Sequence, residues 1–278
     1  MPEDPGSPPG GELLLAWSAA DLRLRSAGGP GRRIDVADSW LVDSGMARGL
    51  QYHAERFTES CWRQHAVDPA VTSEFLAAAG KALPVTGQWF PRVEFEAGAG
   101  LRLLLRPAPA ARSEVILRGR CEPDSRSMPA VKGPDLDMLT NLRRGAAAAG
   151  ADEVLMVSRH GTVLEGALSA MLWWRGSVLC VPPPGPAVLP SITRRLLLEI
   201  ASATGTEVRF ETCRADDLDG TEIWTASALH GIRPVTAWTG GRLTVLPPRR
   251  AAAWQVLLTE KAVPVDTVRL SLSFNLRG

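Results

Sequence analysis

The sequence predicts an α+β fold in two units, and three observations carry that prediction. Short β-rich runs bounded by Gly or Pro recur in both halves, stretches with helical apolar spacing are interleaved with them, and a proline-rich break separates the halves near residue 125. With 278 residues and an apolar fraction of 45%, each half has enough hydrophobic material to bury a core.

The first unit is expected over 12–119. "ELLLAW" and "RRIDVADSWLVDSG" read as strands interrupted by turns at "SAGGPG" and "DSG". A helix follows from about 49 to 65, with Leu50, His53, Ala54, Phe57 and Cys61 along one side. A second covers about 69–80, opened by Asp68 and Pro69, a residue pair suited to a helix start. Strands return in "WFPRVEFEAG", "GLRLLLRP" and "SEVILRG". Ahead of all this, residues 1–11 are rich in Pro and Gly and are expected to form a disordered tail, without the basic and apolar regions of a signal peptide.

"CEPDSRSMPAVKGP" has little periodicity and reads as an interdomain connection, with the linker placed at 120–131 and a second domain at 132–278. That domain opens with a helix at about 135–149, the strand "EVLMVS" and a turn at "RHG". A hairpin follows through "TVLEGALSAMLWWRGSVLCVPPPG", turning at "RGS". In "VLPSITRRLLLEIASATG", Pro190 and Ser191 stop the preceding segment, Ile192 and Thr193 open a helix, Leu196, Leu197, Ile200 and Ala201 form its apolar face, and Gly205 ends it. The strands "EVRFET", "EIWTASA" and "PVTAWTGGRLTVL" complete the unit.

Charge and composition exclude several functions. The 31 basic and 30 acidic side chains nearly cancel and the arginines are dispersed, so no field favours nucleic acid or an anionic membrane. No apolar run reaches the roughly 20 residues of a membrane span, and a soluble, cytoplasmic protein is expected. Cys61, Cys121, Cys180 and Cys213 lie far apart, which suits reduced thiols buried as small hydrophobes and not a zinc site. The four histidines lack metal-ligand spacing, so no metal is expected, and the common hydrolase, NTPase, metalloprotease and dinucleotide motifs are missing.

Lys132 stands between an apolar pair and a Gly-Pro turn in "PAVKGPDL". A lysine so flanked reads either as a solvated loop residue or as one directed inward, where desolvation lowers its pKa and frees the amine as a nucleophile. The start of the 192–205 helix likewise reads either as a plain cap or as an anion site, since its first N–H groups have no partner within the helix.

Five segments in one order resemble the class IV aminotransferase family: "GLQYHAERFTESC", "VKGPDL" with the following helix and "GADEVLM", "GTVLEGALSAMLWW", "LPSITRRLLLEIA" and "EIWTASALHGIRPV", together spanning about 34 to 238. The resemblance implies a two-domain, fold-type-IV pyridoxal-phosphate enzyme, with a small N-terminal α/β sandwich and a larger C-terminal α+β pseudo-barrel. It puts Lys132 at the lysine that forms the Schiff base with pyridoxal 5'-phosphate and Glu165 at the carboxylate that pairs with the pyridine nitrogen. It puts Arg56, Ile192, Thr193, Ser227 and Ala228 around the cofactor phosphate. Taken singly, Arg56 also reads as an exposed helix arginine, Glu165 as a turn carboxylate, Thr193 as a cap and Ser227 as a strand-end hydroxyl. Together they supply an amine for an aldehyde, a carboxylate for a pyridinium, and a guanidinium with a helix start for a dianion.

Two departures from the family pattern bear on the reaction. Ala170 stands where the family commonly has Asn, and "GPDLDM" carries no tyrosine after the lysine, the only one being Tyr52. Both favour the 4-amino-4-deoxychorismate lyase branch, which forms 4-aminobenzoate and pyruvate. Arg106 is the candidate for a substrate carboxylate, while Arg92 and Arg126 read equally as surface ion-pair residues. The alternatives are an aminotransferase of branched-chain or D-amino-acid type, and a non-catalytic binding module that retains the fold. The resemblance also implies a small-molecule substrate and a homodimer.

Overall fold

The computed structural model describes residues 11–27, 33–240 and 243–265. Apart from Gly11, the expected disordered tail lies outside the described residues. The chain divides into two compact units, one running to Ala110 and taking in the segment from Val263, the other Ala111–Ala262.

The first unit contains β1 (Leu13–Ser18), β2 (Arg23–Ser26), β3 (Val36–Ser39), β4 (Val42–Asp43), β5 (Met46–Arg48), α1 (Leu50–His65), α2 (Pro69–Ala82), β6 (Gln88–Trp89), β7 (Arg92–Glu96) and β8 (Gly100–Leu105). Five of these strands form an antiparallel sheet in the order β2-β1-β8-β7-β3. Helix α1 buries Leu50, His53, Ala54, Phe57 and Cys61, the face expected from their spacing. Helix α2 begins where Asp68 accepts the Ala70 N–H at 2.8 Å and Pro69 supplies a preset backbone angle. Phe57 and Phe75 meet between the helices with ring centroids 6.2 Å apart.

The second unit holds β9 (Val115–Pro123), α3 (Leu136–Ala148), β10 (Glu153–Val157), β11 (Val163–Gly166), β12 (Ala170–Arg175), β13 (Val178–Val181), α4 (Ile192–Ala203), β14 (Val208–Phe210), β15 (Glu222–Ser227), β16 (Gly231–Thr239) and α5 (Ala251–Thr259). Its eight strands form one mixed sheet, β11-β10-β9-β16-β15-β12-β13-β14. The unit begins ahead of β9 and not at the expected boundary after 119, because β9 runs parallel to both β10 and β16 at the middle of this sheet. Residues 120–123, assigned above to a linker, are the end of that strand. At the other end, β17 (Ala262–Pro264) lies beside β5 in a four-stranded sheet, β17-β5-β4-β6, which returns the chain to the first unit.

One face of the large sheet buries Val115, Leu117, Leu155, Met171, Trp173 and Val235 in a single core. Trp174, Trp224 and Trp254 form a second packing centre, each pair of rings edge-on at 5.4–5.6 Å. The four cysteines are free thiols, three of them buried.

Candidate active site

Lys132 lies in the irregular segment between β9 and α3. That segment is held by Asp135, whose carboxylate accepts the Ser127 N–H (2.9 Å), the Ser127 hydroxyl (2.8 Å) and the Met128 N–H (3.0 Å). Those bonds outweigh the partial burial of Asp135 and hold its pKa below the ordinary value. Gly133, next to the lysine, has φ 145°, a backbone angle that residues with a Cβ rarely adopt. The loop is thus a fixed turn, with its conformation set on both sides of Lys132.

Arg126 connects this loop to Glu165. Its side chain is only 4% exposed; Nε and Nη2 bond the two oxygens of Asp124 at 2.8 and 3.0 Å, Nη2 also bonds the Ala187 carbonyl at 2.9 Å, and Nη1 bonds Glu165 Oε1 at 2.5 Å. The ion-pair role considered for Arg126 is therefore real, but it is a buried pair and not a surface one. Glu165, on β11 and 4% exposed, receives a second bond on the same oxygen from the Leu189 N–H at 2.9 Å. Its other oxygen, Oε2, accepts no hydrogen bond among the described residues. Burial pushes the Glu165 carboxyl up from its ordinary pKa, against the opposing pull of Arg126, the Leu189 N–H and Arg194.

The bond to Leu189 brings Glu165 to the approach of α4. There the Ser191 hydroxyl caps the helix by accepting the Arg194 N–H at 3.3 Å. The N–H groups of Ile192 and Thr193 and the Thr193 hydroxyl have no hydrogen-bond partner among the described residues, although both residues are buried. Arg194, buried on the same turn, has its pKa lowered by burial while the Glu165 charge opposes the shift. On the other side of Glu165, buried Glu153 pins the turn between β11 and β12 by accepting the Ala167 N–H (3.1 Å) and the Ser169 hydroxyl (3.0 Å). This fixes Ala170, which pairs across the sheet with Ala226 beside Ser227. Ser227 ends β15 and its hydroxyl accepts the His230 N–H at 3.3 Å, closing the turn that contains Ala228.

Hydrogen bonds therefore tie Glu165 both to Arg126, at the start of the segment that carries Lys132, and to Leu189, ahead of the Ile192–Thr193 start, while Ser227 and Ala228 lie at the end of the β15–β16 hairpin. The remaining candidates belong to the first unit. Arg56, on α1, donates Nε and Nη2 to the two oxygens of Asp38 at 2.9 and 2.8 Å, and His53 Nδ1 lies 2.7 Å from Asp38 Oδ1. Arg106 donates Nε to the Phe90 carbonyl at 3.0 Å with its guanidinium over the Phe90 ring, and burial and Arg92 lower its pKa. Arg92 is committed to Glu94.

Sequence reading missed Asp38, Asp135, Glu153 and Arg194. Asp135 had a usable signal, an acidic residue at the entrance to a helix within three residues of the lysine. The others become visible only through partners distant in the chain.

A model of the family described as Amino-transferase class IV matches residues 35–238. The chain belongs to the class IV aminotransferase family. Members of this family use pyridoxal phosphate, and the donor set suits that group: a carboxylate with one oxygen open, and a helix start with two open N–H groups and an open hydroxyl. A curated relative, "Bifunctional aminodeoxychorismate lyase / D-amino acid transaminase" of Mycobacterium tuberculosis, is 33% identical over 112 residues, which are 37% of this chain and 39% of that protein. The match thus spans about two fifths of the relative's length.

Among solved structures, a hypothetical aminotransferase from Mycobacterium tuberculosis in its α-ketoglutarate and PMP bound form has a TM-score of 0.71 at 22% identity, covering 90% of this chain and 98% of that one. An aminotransferase from Brucella abortus bound to PLP has a TM-score of 0.72 at 18% identity, covering 89% and 98%. These likenesses establish the family's type IV fold, as the sequence led one to expect. No helix among the described residues is long and apolar enough to cross a membrane.

Proposed function

We propose that this family member is a lyase that converts 4-amino-4-deoxychorismate to 4-aminobenzoate and pyruvate. The observation that carries the cofactor part of the reading is the half-occupied Glu165 carboxylate, whose open Oε2 is held in place by two bonds to Oε1. The choice of the lyase reaction is supported by the relative whose printed name includes that activity, and by the absence of a tyrosine in "GPDLDM".

When bound, pyridoxal phosphate supplies an electron sink for the bonds broken at the substrate. Glu165 Oε2 would hold the ring N–H, with the carboxylate kept aligned by the Arg126 bond to Oε1. The Ile192 and Thr193 N–H groups and the Thr193 hydroxyl would hold the phosphate, with Ser227 and Ala228 at the end of the β15–β16 hairpin as further donors. Lys132 Nζ would remove the proton from the ring carbon that bears the substrate nitrogen; the ring carbon–oxygen bond to the enolpyruvyl group then breaks, the ring becomes aromatic, and the enolpyruvate released takes up one proton at its methylene carbon to become pyruvate while Lys132 gives its proton back. In the first unit, Arg106 has donors to offer a carboxylate: beyond its Nε bond, its terminal nitrogens donate to no described residue. The reading includes a homodimer in the cytoplasm.

A second reading, transamination of D-amino acids, is favoured by the other activity in the same relative's name. In it, Lys132 would act as the base that takes the proton from the α-carbon of the amino acid, the cofactor supplying the electron sink.

Replacing Lys132 tests the common core of both readings. Protein loaded with pyridoxal phosphate should show an absorbance band near the visible edge that borohydride abolishes, and Lys132→Ala should lack the band and lose about 10³-fold or more in turnover. Survival of the band in Lys132→Ala would overturn the assignment. Pyruvate release from aminodeoxychorismate without an amino acceptor supports the lyase; conversion of the cofactor to its amine form by D-alanine, without pyruvate release from aminodeoxychorismate, supports the second reading.

A further inference from the structure

Arg233 is the most deeply buried arginine of the second unit, 2% exposed on β16, and its guanidinium makes no hydrogen bond among the described residues. An unpaired charge in such a place is costly, and native proteins seldom leave one without a partner. Nη1 is sealed from solvent with no acceptor; Nε and Nη2 are not sealed. Those two nitrogens form the side edge of the guanidinium, whose spacing matches the two oxygens of a carboxylate.

The neighbouring acids do not fill this gap. Asp152 gives one oxygen to Arg112 Nη1 at 2.5 Å and the other to the Ile116 N–H at 3.0 Å. Glu153 is taken by the Val154 and Ala167 N–H groups and the Ser169 hydroxyl, with Arg143 Nε at 4.0 Å. Both carboxylates act on Arg233 through space, as do the like charges of Arg143 and Arg112, so three guanidiniums share two carboxylates. The surplus positive charge falls on the member with no bonds.

The position of Arg233 relates this surplus to the candidate site. Arg233 pairs with Thr225 across β15 and β16, and one repeat further along the same face Ser227 pairs with Gly231 at the mouth of the hairpin. A strand repeat of two residues is about 7 Å, so Arg233 stands on the Ser227 face at roughly that distance along the sheet.

We propose that Arg233 is a specificity-determining receptor for a substrate carboxylate, bound side-on through Nε and Nη2. The proposal rests on the reading of the Ser227 hairpin as part of the active site, and it narrows the substrate class to amines that carry a carboxylate able to enter beside β16.

The test uses the cofactor-loaded protein with sodium succinate as probe and sodium chloride of equal ionic strength as control. Succinate at about ten times its Kd should raise the Tm of the wild type by about 3 °C over chloride. Arg233→Lys should keep part of that shift and Arg233→Met none, while both retain the cofactor absorbance. Equal succinate stabilisation of wild type and Arg233→Met, or no stabilisation of the wild type, would overturn the proposal. Loss of the cofactor band from the wild type itself would instead sink the cofactor reading, which keeps the two failures apart.

Discussion

Asp38 in the first unit and Glu165 in the second are both buried carboxylates bound to an arginine, yet they are finished differently. Asp38 is 0% exposed, and both its oxygens are occupied, by two nitrogens of Arg56, by His53 and by the Ser39 N–H. Glu165 takes all its described bonds on Oε1 and leaves Oε2 open. A saturated buried carboxylate contributes to the fold, and any further bond it made would break an existing one. A half-saturated one carries an uncompensated cost in the folded chain that a bound cation removes. The pKa directions follow the same division. At Asp38, burial raises the value but the charges and hydrogen bonds of Arg56 and His53 outweigh it and hold the carboxyl well below the usual carboxylate range. At Glu165, burial wins and the value rises.

The contrast is broken most directly by neutralising each acid. Asp38→Asn removes a buried charge that accepts two nitrogens of Arg56 and should cost about 3–5 kcal/mol of unfolding free energy in urea. Glu165→Gln keeps an acceptor for Arg126 and should cost about 1 kcal/mol, yet, on the proposed pairing with the ring nitrogen, lower turnover by about 10²-fold. Equal destabilisation by the two substitutions would show that Glu165 is as structural as Asp38. The signs of their pH dependence are opposite. Asp38, with a depressed folded pKa, stabilises above its unfolded value near pH 4 and loses that contribution as pH falls toward the folded value. Glu165, with a raised one, contributes most below its unfolded value near pH 4 and less as pH rises through the folded value. In Tm measured against pH, Asp38→Asn should flatten the acid limb, and Glu165→Gln should remove a decline on the other side of pH 4.

This distinction between saturated and open groups was not legible in the sequence, although much of the fold was. The apolar spacing of Phe57 and Cys61, and the stop at Pro190 and Ser191, are local patterns, and α1 and α4 lie where those patterns put them. Helix α5 escaped notice because Arg250 begins it without a side-chain cap, so no start signal precedes "AAAWQVLLT". The extent of β9 was underestimated because its last residues, "CEP", look like loop and become strand only by lying beside β10. Lys132 and Glu165 were readable from residue type and order. Arg126 was readable only as an undirected charge, since its acceptor Glu165 lies 39 residues away. Arg233 carried no signal at all: a missing partner becomes apparent only when every neighbour's bonds are known.

At the start of α4 the same contrast recurs within three residues, on a smaller scale. The Ser191 hydroxyl is occupied as the cap, whereas the Thr193 hydroxyl has no described partner. Thr193→Val preserves shape and removes only the open group, so it should weaken retention of pyridoxal phosphate about tenfold, measured by equilibrium dialysis, and change the unfolding free energy of the apo protein by about 0.5 kcal/mol or less. Unchanged cofactor affinity in that variant would make the helix start a plain cap. Ser191→Ala should do the reverse, costing about 1 kcal/mol of stability by releasing the Arg194 N–H. It should shift cofactor affinity only about twofold, because the two open N–H groups belong to the backbone and remain as long as the helix begins at Ile192. A larger loss of affinity in Ser191→Ala than in Thr193→Val would mean that the cap, by fixing where the helix starts, matters more to cofactor retention than the Thr193 hydroxyl.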